Sequence, residues 1–384
     1  MPRLPCSVHA SCWLLVVAAA SRPPAFSAET EALLPRAKVP AFWKGRVEDV
    51  DAAVKAVRRG KSSVLARSPG GRPVYLVEYG PRALPDRQAN YNSAVAAGDP
   101  AYYARKPAGT PPILLLVGPV HGQEVEGVVG LVNLLEVIEE GRDLRGKAWP
   151  KLKEAADRCR LLIVPLGNPD GRARCPHDSF VGIPVDEMTR IGQGTRKDGT
   201  LYGWPGVKQR HPMKDDVGLL GAYFNDGGIN PMHDEFFAPM AEETKCLLRL
   251  AREEAPDYIL ILHSHGASPQ ILPTSYVPRY SKETAARFAE GLVKSLRQAG
   301  LPAASPPAPA EDGLKYPPPS FNLTSALHHA CGGVSMLFEC PHGLKEERYV
   351  QVTFEQILDI QLILYEELLA FSLATPRPEL PPRR

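Results

Sequence analysis

Neither sign of charge dominates this chain of 384 residues: 45 lysines and arginines stand against 43 aspartates and glutamates, a formal net charge of +2. Without a basic or acidic excess there is no electrostatic case for a nucleic-acid or membrane-surface partner. Beyond the first thirty residues no apolar run approaches the roughly 20 residues that a membrane-spanning helix takes. The cysteines form no CxxC pair, which excludes a zinc-ribbon site. Internal repeats are also absent. Proline, by contrast, is plentiful: 40 residues, with 32 glycines, about twice the average proline usage of roughly 5%. That composition implies many loops and short connections rather than a long helical bundle. Apolar residues make up 44% and charged residues 23%, which rules out disorder throughout. A chain of this length buries a full core without covalent staples.

The N-terminus reads as an export signal. Arg3 supplies a positive start, and Cys12 to Ala20 form an apolar stretch of about nine residues, the length of a signal-peptide core. Ala25 and Ser27 are small residues at the two positions a signal peptidase reads, so cleavage is expected near Ser27 or Ala28. Residues 1–28 are then a signal peptide, and 29–384 a soluble chain, secreted or periplasmic, with no membrane attachment after signal removal. The other reading is a cytosolic protein with an apolar, disordered start. Export permits disulfides. Cys6 and Cys12 leave with the signal, and Cys159, Cys175, Cys246, Cys331 and Cys340 remain, with one or two bridges open and their pairing undetermined.

Strands and helices alternate along the rest. Val47 to Arg59 reads as a helix with Val47, Val50, Val54 and Val57 on one stripe, and Pro73 to Tyr79 as a strand. Residues 81–112 show no clear period and read as a long surface loop. The continuous apolar run Ile113 to Val117 marks a strand buried on both faces. A helix at 125–139, a strand at 161–165, an irregular segment at 169–232 and a helix at 240–254 follow. Strand 258–262, helix 282–299, a Pro/Ala-rich loop at 302–319, strand 334–338 and helix 354–370 complete the chain. Such alternation predicts an α/β fold with a mixed, mostly parallel central sheet.

The chemistry-bearing residues sit where three of these strands end. Ile113–Val117 runs into His121-Gly122-Gln123-Glu124, Tyr258–Leu262 into His263-Ser264-His265, and Val334–Phe338 into Glu339-Cys340-Pro341-His342. Ligand sites of open α/β sheets lie outside the carboxyl ends of the strands. A catalytic zinc site takes three protein ligands, often two histidines and a glutamate, with a fourth position for water. His121 and Glu124, three apart at a strand-to-helix turn, and the distant His263 suit that set. A glutamate closing an apolar strand, Glu339, suits the base that such a water needs. Taken singly, HxxE is a common chance pattern and a strand-end histidine is usually a hydrogen-bonded rim residue. The ordered set is more specific.

His121-Gly-Gln-Glu124, Asn168-Pro169-Asp170-Gly171, His263-Ser264 and Phe338-Glu339 together resemble the zinc carboxypeptidases of family M14, over about residues 70–345. Gly71-Arg72-Pro73 before a strand also resembles that family's early hairpin. The resemblance implies an α/β/α sandwich around a mixed sheet of about eight strands. It implies one zinc ion held by His121, Glu124 and His263, and Glu339 as general base and acid. It favours His263 over His265, because the family's ligand histidine is commonly followed by serine. For the substrate, Arg196, with Arg190 as second choice, stands for the family's arginine, and Asn225 for the asparagine of its Asn-Arg pair. Asp226 replaces the arginine of that pair, and an acidic group there would repel a terminal carboxylate. Tyr223 stands where the family has an aspartate orienting the first zinc histidine. Tyr316 matches a mobile tyrosine that covers substrate, or is an ordinary loop residue before three prolines. His328, His329 and Cys331 read as structural, and His342 as a possible pocket residue.

The expectation is an exported zinc-dependent hydrolase of peptide C-terminal amide bonds. The alternatives are a deacylase or cell-wall peptide amidase on the same scaffold and, from another class, a catalytically dead scaffold that binds peptides or glycans.

Overall fold

Among the described residues are nine short strands: β1 Lys61–Arg67, β2 Pro73–Tyr79, β3 Ile113–Val117, β4 Arg160–Val164, β5 Gly194–Thr195, β6 Leu219–Leu220, β7 Tyr258–His265, β8 Gln270–Leu272 and β9 Val334–Pro341. The structure is a computed structural model and describes residues 38–83, 87–104, 106–107, 109–272, 274–305 and 318–375. The expected signal peptide and Tyr316 lie outside these residues.

Seven strands form one mixed sheet in the order β1–β2–β4–β3–β7–β9–β8. The central four, β4, β3, β7 and β9, run parallel, while β2 and β8 are antiparallel to their neighbours. Because β1 is in turn antiparallel to β2, it shares the sense of the central strands, so five of the seven point one way. β5 and β6 form a separate small ribbon.

Alternation along the buried strands feeds two cores. Leu114 and Leu116, Leu260 and Leu262, and Met336 and Phe338 face one side. There they meet the helices Val47–Ala56, Val125–Glu140, Arg279–Gln298 and Phe354–Ala374. Ile113, Leu115, Val117, Ile259, Ile261 and Leu337 face the other, against the helices Glu242–Glu254 and Leu323–Cys331. The result is helices on both faces of the sheet. The helix Val125–Glu140 is apolar nearly all round because it lies between the sheet and Phe354–Ala374. Phe354–Ala374 starts at a reciprocal cap, in which Thr353 Oγ1 accepts from the Gln356 N–H at 3.2 Å and Gln356 accepts from the Thr353 N–H at 3.0 Å.

The expected mixed, mostly parallel sheet is present, with seven strands among the described residues where about eight were implied. The edge strands β1 and β8 carry half-exposed side chains, so neither shows the apolar run or clean alternation by which strands are read. Residues 81–112 hold two short helices, Tyr91–Ala96, capped by Asn90, and Pro100–Ala104. Cys159, Cys175, Cys246, Cys331 and Cys340 are all buried and unpaired, so the bridges left open by the sequence are not formed. No helix among the described residues is long and apolar enough to cross a membrane.

Candidate active site

Period-two geometry brings the chemistry together. His263 on β7 and Glu339 on β9 are register partners, so their side chains emerge side by side on the same face of the sheet. His121 and Glu124 reach that face from the loop after β3, with Glu124 at the residue preceding the helix Val125–Glu140. The helix N-terminus favours negative charge there.

That loop is pinned from below by the Asn168-Pro169-Asp170-Gly171 segment. Asn168 Nδ2 donates to the Val120 carbonyl at 3.1 Å, and Arg172 donates to the Gly122 carbonyl at 3.1 Å. The Gly122 N–H donates to the Ala222 carbonyl at 2.7 Å. Gly122 is required by this close approach: a Cβ on it would lie 2.0 Å from the carbonyl carbon of Gly171.

The ligand atoms of His121, Glu124 and His263 all lie within 4.8 Å of one another, on residues only 5, 2 and 3% exposed. His121 Nδ1 is 2.8 Å from Glu124 Oε1, and His263 Nδ1 is 2.8 Å from Glu124 Oε2. Burial acts to raise the Glu124 pKa, but the two imidazoles overcome it and hold the carboxyl well below the usual carboxylate range. Burial lowers His121. It acts in the same sense on His263, where the attraction of Glu124 and Glu339 prevails and raises the imidazole. Two imidazoles and an ionised carboxylate so close together are a donor set that could hold a metal ion.

Burial pushes the Glu339 carboxyl up to about 7, with His263 and His342 pulling it down and Glu124 adding to the rise. Its Oε2 is buried without a hydrogen-bond partner. His342 contacts the fully buried Glu126, Nδ1 to Oε1, at 3.1 Å. Tyr223 stacks flat on His121, ring centroids 3.8 Å apart and planes 6° apart. An aromatic face thus backs that imidazole, whose Nδ1 meets Glu124.

These groups line a cleft of about 480 Å³ together with Gln193, Trp204, Lys208, His233, Leu272 and Tyr349, among others. His265 lines it too, but its ring is tied to the Ala267 N–H at 3.1 Å and to the Gln270 amide at 2.7 Å. His328 and His329 bond backbone carbonyls of Gly333 and Tyr276.

The residues expected to hold substrate are not gathered there. Arg190 is paired with Glu187 at 2.8 and 2.9 Å. Arg196 lies over the Tyr202 ring at 4.6 Å and donates to the Leu201 carbonyl. Asn225 is fully buried, accepting from the Gly227 and Ile229 N–H groups and donating to Glu243. None of the three lines the cleft. Asp226, expected to repel an approaching carboxylate, instead pairs with Arg174 and, at 3.0 Å, with Arg72. Arg72 also binds Asp170, so two arginines neutralise two aspartates away from the cleft. Lys208, Gln193 and His233 carry no motif in the sequence; the first two reach the cleft from the aperiodic segment 169–232 and His233 from the turn Pro231–His233 at its end.

No protein-family model matches the chain, and no curated protein matches it. Solved structures do. A metallo-carboxypeptidase from Burkholderia cenocepacia superposes with a TM-score of 0.54 at 14% identity, covering 85% of this chain and 69% of that one. The chain has a metallocarboxypeptidase-like fold. Provisionally assigned carboxypeptidases give the same picture. The one from Shewanella denitrificans has a TM-score of 0.51 at 15% identity over 84% of this chain and 68% of its own. For the one from Burkholderia mallei the values are 0.52, 14%, 85% and 67%. The metallocarboxypeptidase-like sheet is thus the frame on which the His-Glu-His cluster and Glu339 are mounted.

Proposed function

We propose that this chain is an exported, zinc-dependent hydrolase of metallocarboxypeptidase type that acts on C-terminal amide bonds of peptides. Residues 29–384 would form its single peptidase domain, with residues 1–28 removed as a signal peptide and the product secreted or periplasmic. The observation that carries the reading is the convergence of His121, Glu124 and His263 beside the buried Glu339 in one open cleft. One zinc ion would be held by those three residues, and when bound it supplies Lewis acidity to the carbonyl and acidity to water.

The chain's own part is proton handling. Glu339 takes a proton from the attacking water at Oε2, the oxygen with no other partner, and returns it to the departing amine. Burial gives this carboxyl its proton affinity, and a dication nearby draws the value down so that the group starts ionised. Tyr223 and the Asn168 segment hold the His121 loop still.

Glu339→Gln is expected to cut turnover by about a thousandfold while zinc content, measured by plasma mass spectrometry, stays at one per chain. Retained turnover would remove Glu339 from the mechanism. One observation favours a second reading, a deacylase or cell-wall peptide amidase: no arginine among the described residues lines the cleft. Peptides with free and amidated C-termini, their products read by mass spectrometry, separate the two.

A further inference from the structure

The cleft wall holds a second imidazole–carboxylate pair, separate from the metal cluster. His342, on the chain just past Glu339, has its Nδ1 3.1 Å from Glu126 Oε1. His342 is 1% exposed and Glu126 0%, and the imidazole is part of the cleft lining. Neither residue belongs to the His121–Glu124–His263 group. Among the described residues the second Glu126 oxygen, Oε2, has no hydrogen-bond partner.

Stability does not account for such a pair. Ion pairs this deep add little net stability, and apolar residues of similar volume often serve as well or better. The helix Val125–Glu140 shows that alternative around Glu126, where Val125, Val128 and Val129 are all buried in the core. What the pair supplies is a fixed link between elements. Glu126 lies in the first turn of this helix, and Glu124 immediately precedes it. Glu124 Oε2 reaches His263 Nδ1, on β7, at 2.8 Å. Glu126 reaches His342 just beyond the end of β9, and the His342 N–H donates to the carbonyl of His265, the last residue of β7, at 2.8 Å. The helix start is therefore gripped twice, through Glu124 and through Glu126. With 3.6 residues per turn, side chains two apart leave a helix on nearly opposite sides. The second grip thus resists the rotation that would swing Glu124 away from His263.

We propose that the Glu126–His342 pair is a clamp that positions Glu124: it fixes the start of the helix against β7 and β9 and so keeps the three proposed ligands at metal-binding separation. This rests on the metal site of the reading above. Glu126 and His342 are positioning residues, and outer partners of this kind are worth about tenfold to a hundredfold in metal affinity.

The test is zinc affinity, read by titration against a competing chelator, with urea unfolding of the metal-free proteins alongside. Wild type is compared with Glu126→Gln and with the apolar double variant Glu126→Leu, His342→Leu. Glutamine keeps an acceptor for the Nδ1–H and should keep wild-type affinity. The apolar double variant should unfold no more easily than wild type and yet lose affinity by that factor. Should it not fold, Glu126→Gln with His342→Phe, which keeps a ring and loses the N–H, takes its place. Wild-type zinc affinity in the folded double variant overturns the clamp. So does an equal loss in Glu126→Gln, which would trace the effect to charge rather than to the link. Peptide cleavage by zinc-loaded wild type is read separately: without it the hydrolase reading fails, and zinc affinity still decides on the clamp. Wild type that takes up no zinc refutes the metal site and the clamp together.

Discussion

Substituting Gly122 by alanine tests whether the metal-ligand loop is held by backbone contact. Its Cβ would lie 2.0 Å from the carbonyl carbon of Gly171 and 2.1 Å from the Arg172 nitrogen, whereas ordinary contact begins at 3.4 Å. Both neighbours are main chain and cannot rotate aside, so the loops must separate by roughly 1.4 Å, far beyond the ~0.5 Å tolerance of a functional constellation. Gly122 sits between His121 and Glu124, and its own amide and carbonyl are bonded to Ala222 and Arg172, so the displacement falls on two of the three proposed ligands. The expected result is a loss of zinc affinity of about tenfold to a hundredfold, a fall in turnover of about a hundredfold and a loss of ~1–3 kcal/mol of stability. Zinc affinity is read by titration against a competing chelator, with far-ultraviolet circular dichroism to confirm that the variant folds. Gly291, in the helix Arg279–Gln298, is the control: an added Cβ meets nothing nearer than 4.0 Å. Alanine there should leave zinc binding alone and add ~0.5–1 kcal/mol. Unaltered zinc affinity in folded Gly122→Ala would show slack between the loops and sink the reasoning.

Glu243, buried in the first turn of Glu242–Glu254, is a pH-sensitive carboxyl outside the site: burial raises it from 4.5 to about 7. Since its folded pKa exceeds the unfolded one, stability falls as pH rises from 4.5 towards about 7. Glu243→Gln keeps an acceptor for Asn225 and should add about 3 kcal/mol at pH 8 but under about 1 kcal/mol at pH 5. Urea unfolding at the two pH values checks this, and an equal gain at both contradicts it. Removing metal should lower the melting temperature, because His121, Glu124 and His263 converge only in the folded chain. At zinc a thousandfold above its Kd the stabilisation is about 4 kcal/mol; calorimetric traces that coincide with and without chelator would argue against a folded-state metal site.

The central sheet and the cluster it carries were legible because β3, β4, β7 and β9 are buried on both faces. Their continuous apolar runs make a polar residue at the end, such as His263 or Glu339, stand out. The substrate side was not legible. Asp226 meets Arg174 from 52 positions away and Arg72 from 154, so its neutralisation is a tertiary fact without local trace. Lys208 enters the cleft on a turn inside a segment with no hydrophobic period. Arg190 and Arg196 matched by order along the chain; in the structure Arg190 pairs with Glu187, Arg196 lies on Tyr202, and neither lines the cleft. The Asn168 segment was recognised as a motif; its work as the floor beneath Gly122 emerged only from the packing.

The pairing of His263 with Glu339 across β7 and β9 makes the gap between the proposed ligand and the proposed base a property of the sheet, fixed by the ~4.8 Å spacing of neighbouring strands. Insertions or deletions in the connection between these strands would leave that gap untouched, which lets substrate-facing loops diverge at no cost to the chemistry. The same arrangement is brittle in the other direction. A slip of β9 by one residue would bring Phe338 or Cys340 to the rung and turn the carboxylate to the opposite face of the sheet. Activity on this frame is therefore tolerant of changes in loop length and all-or-none with respect to strand register.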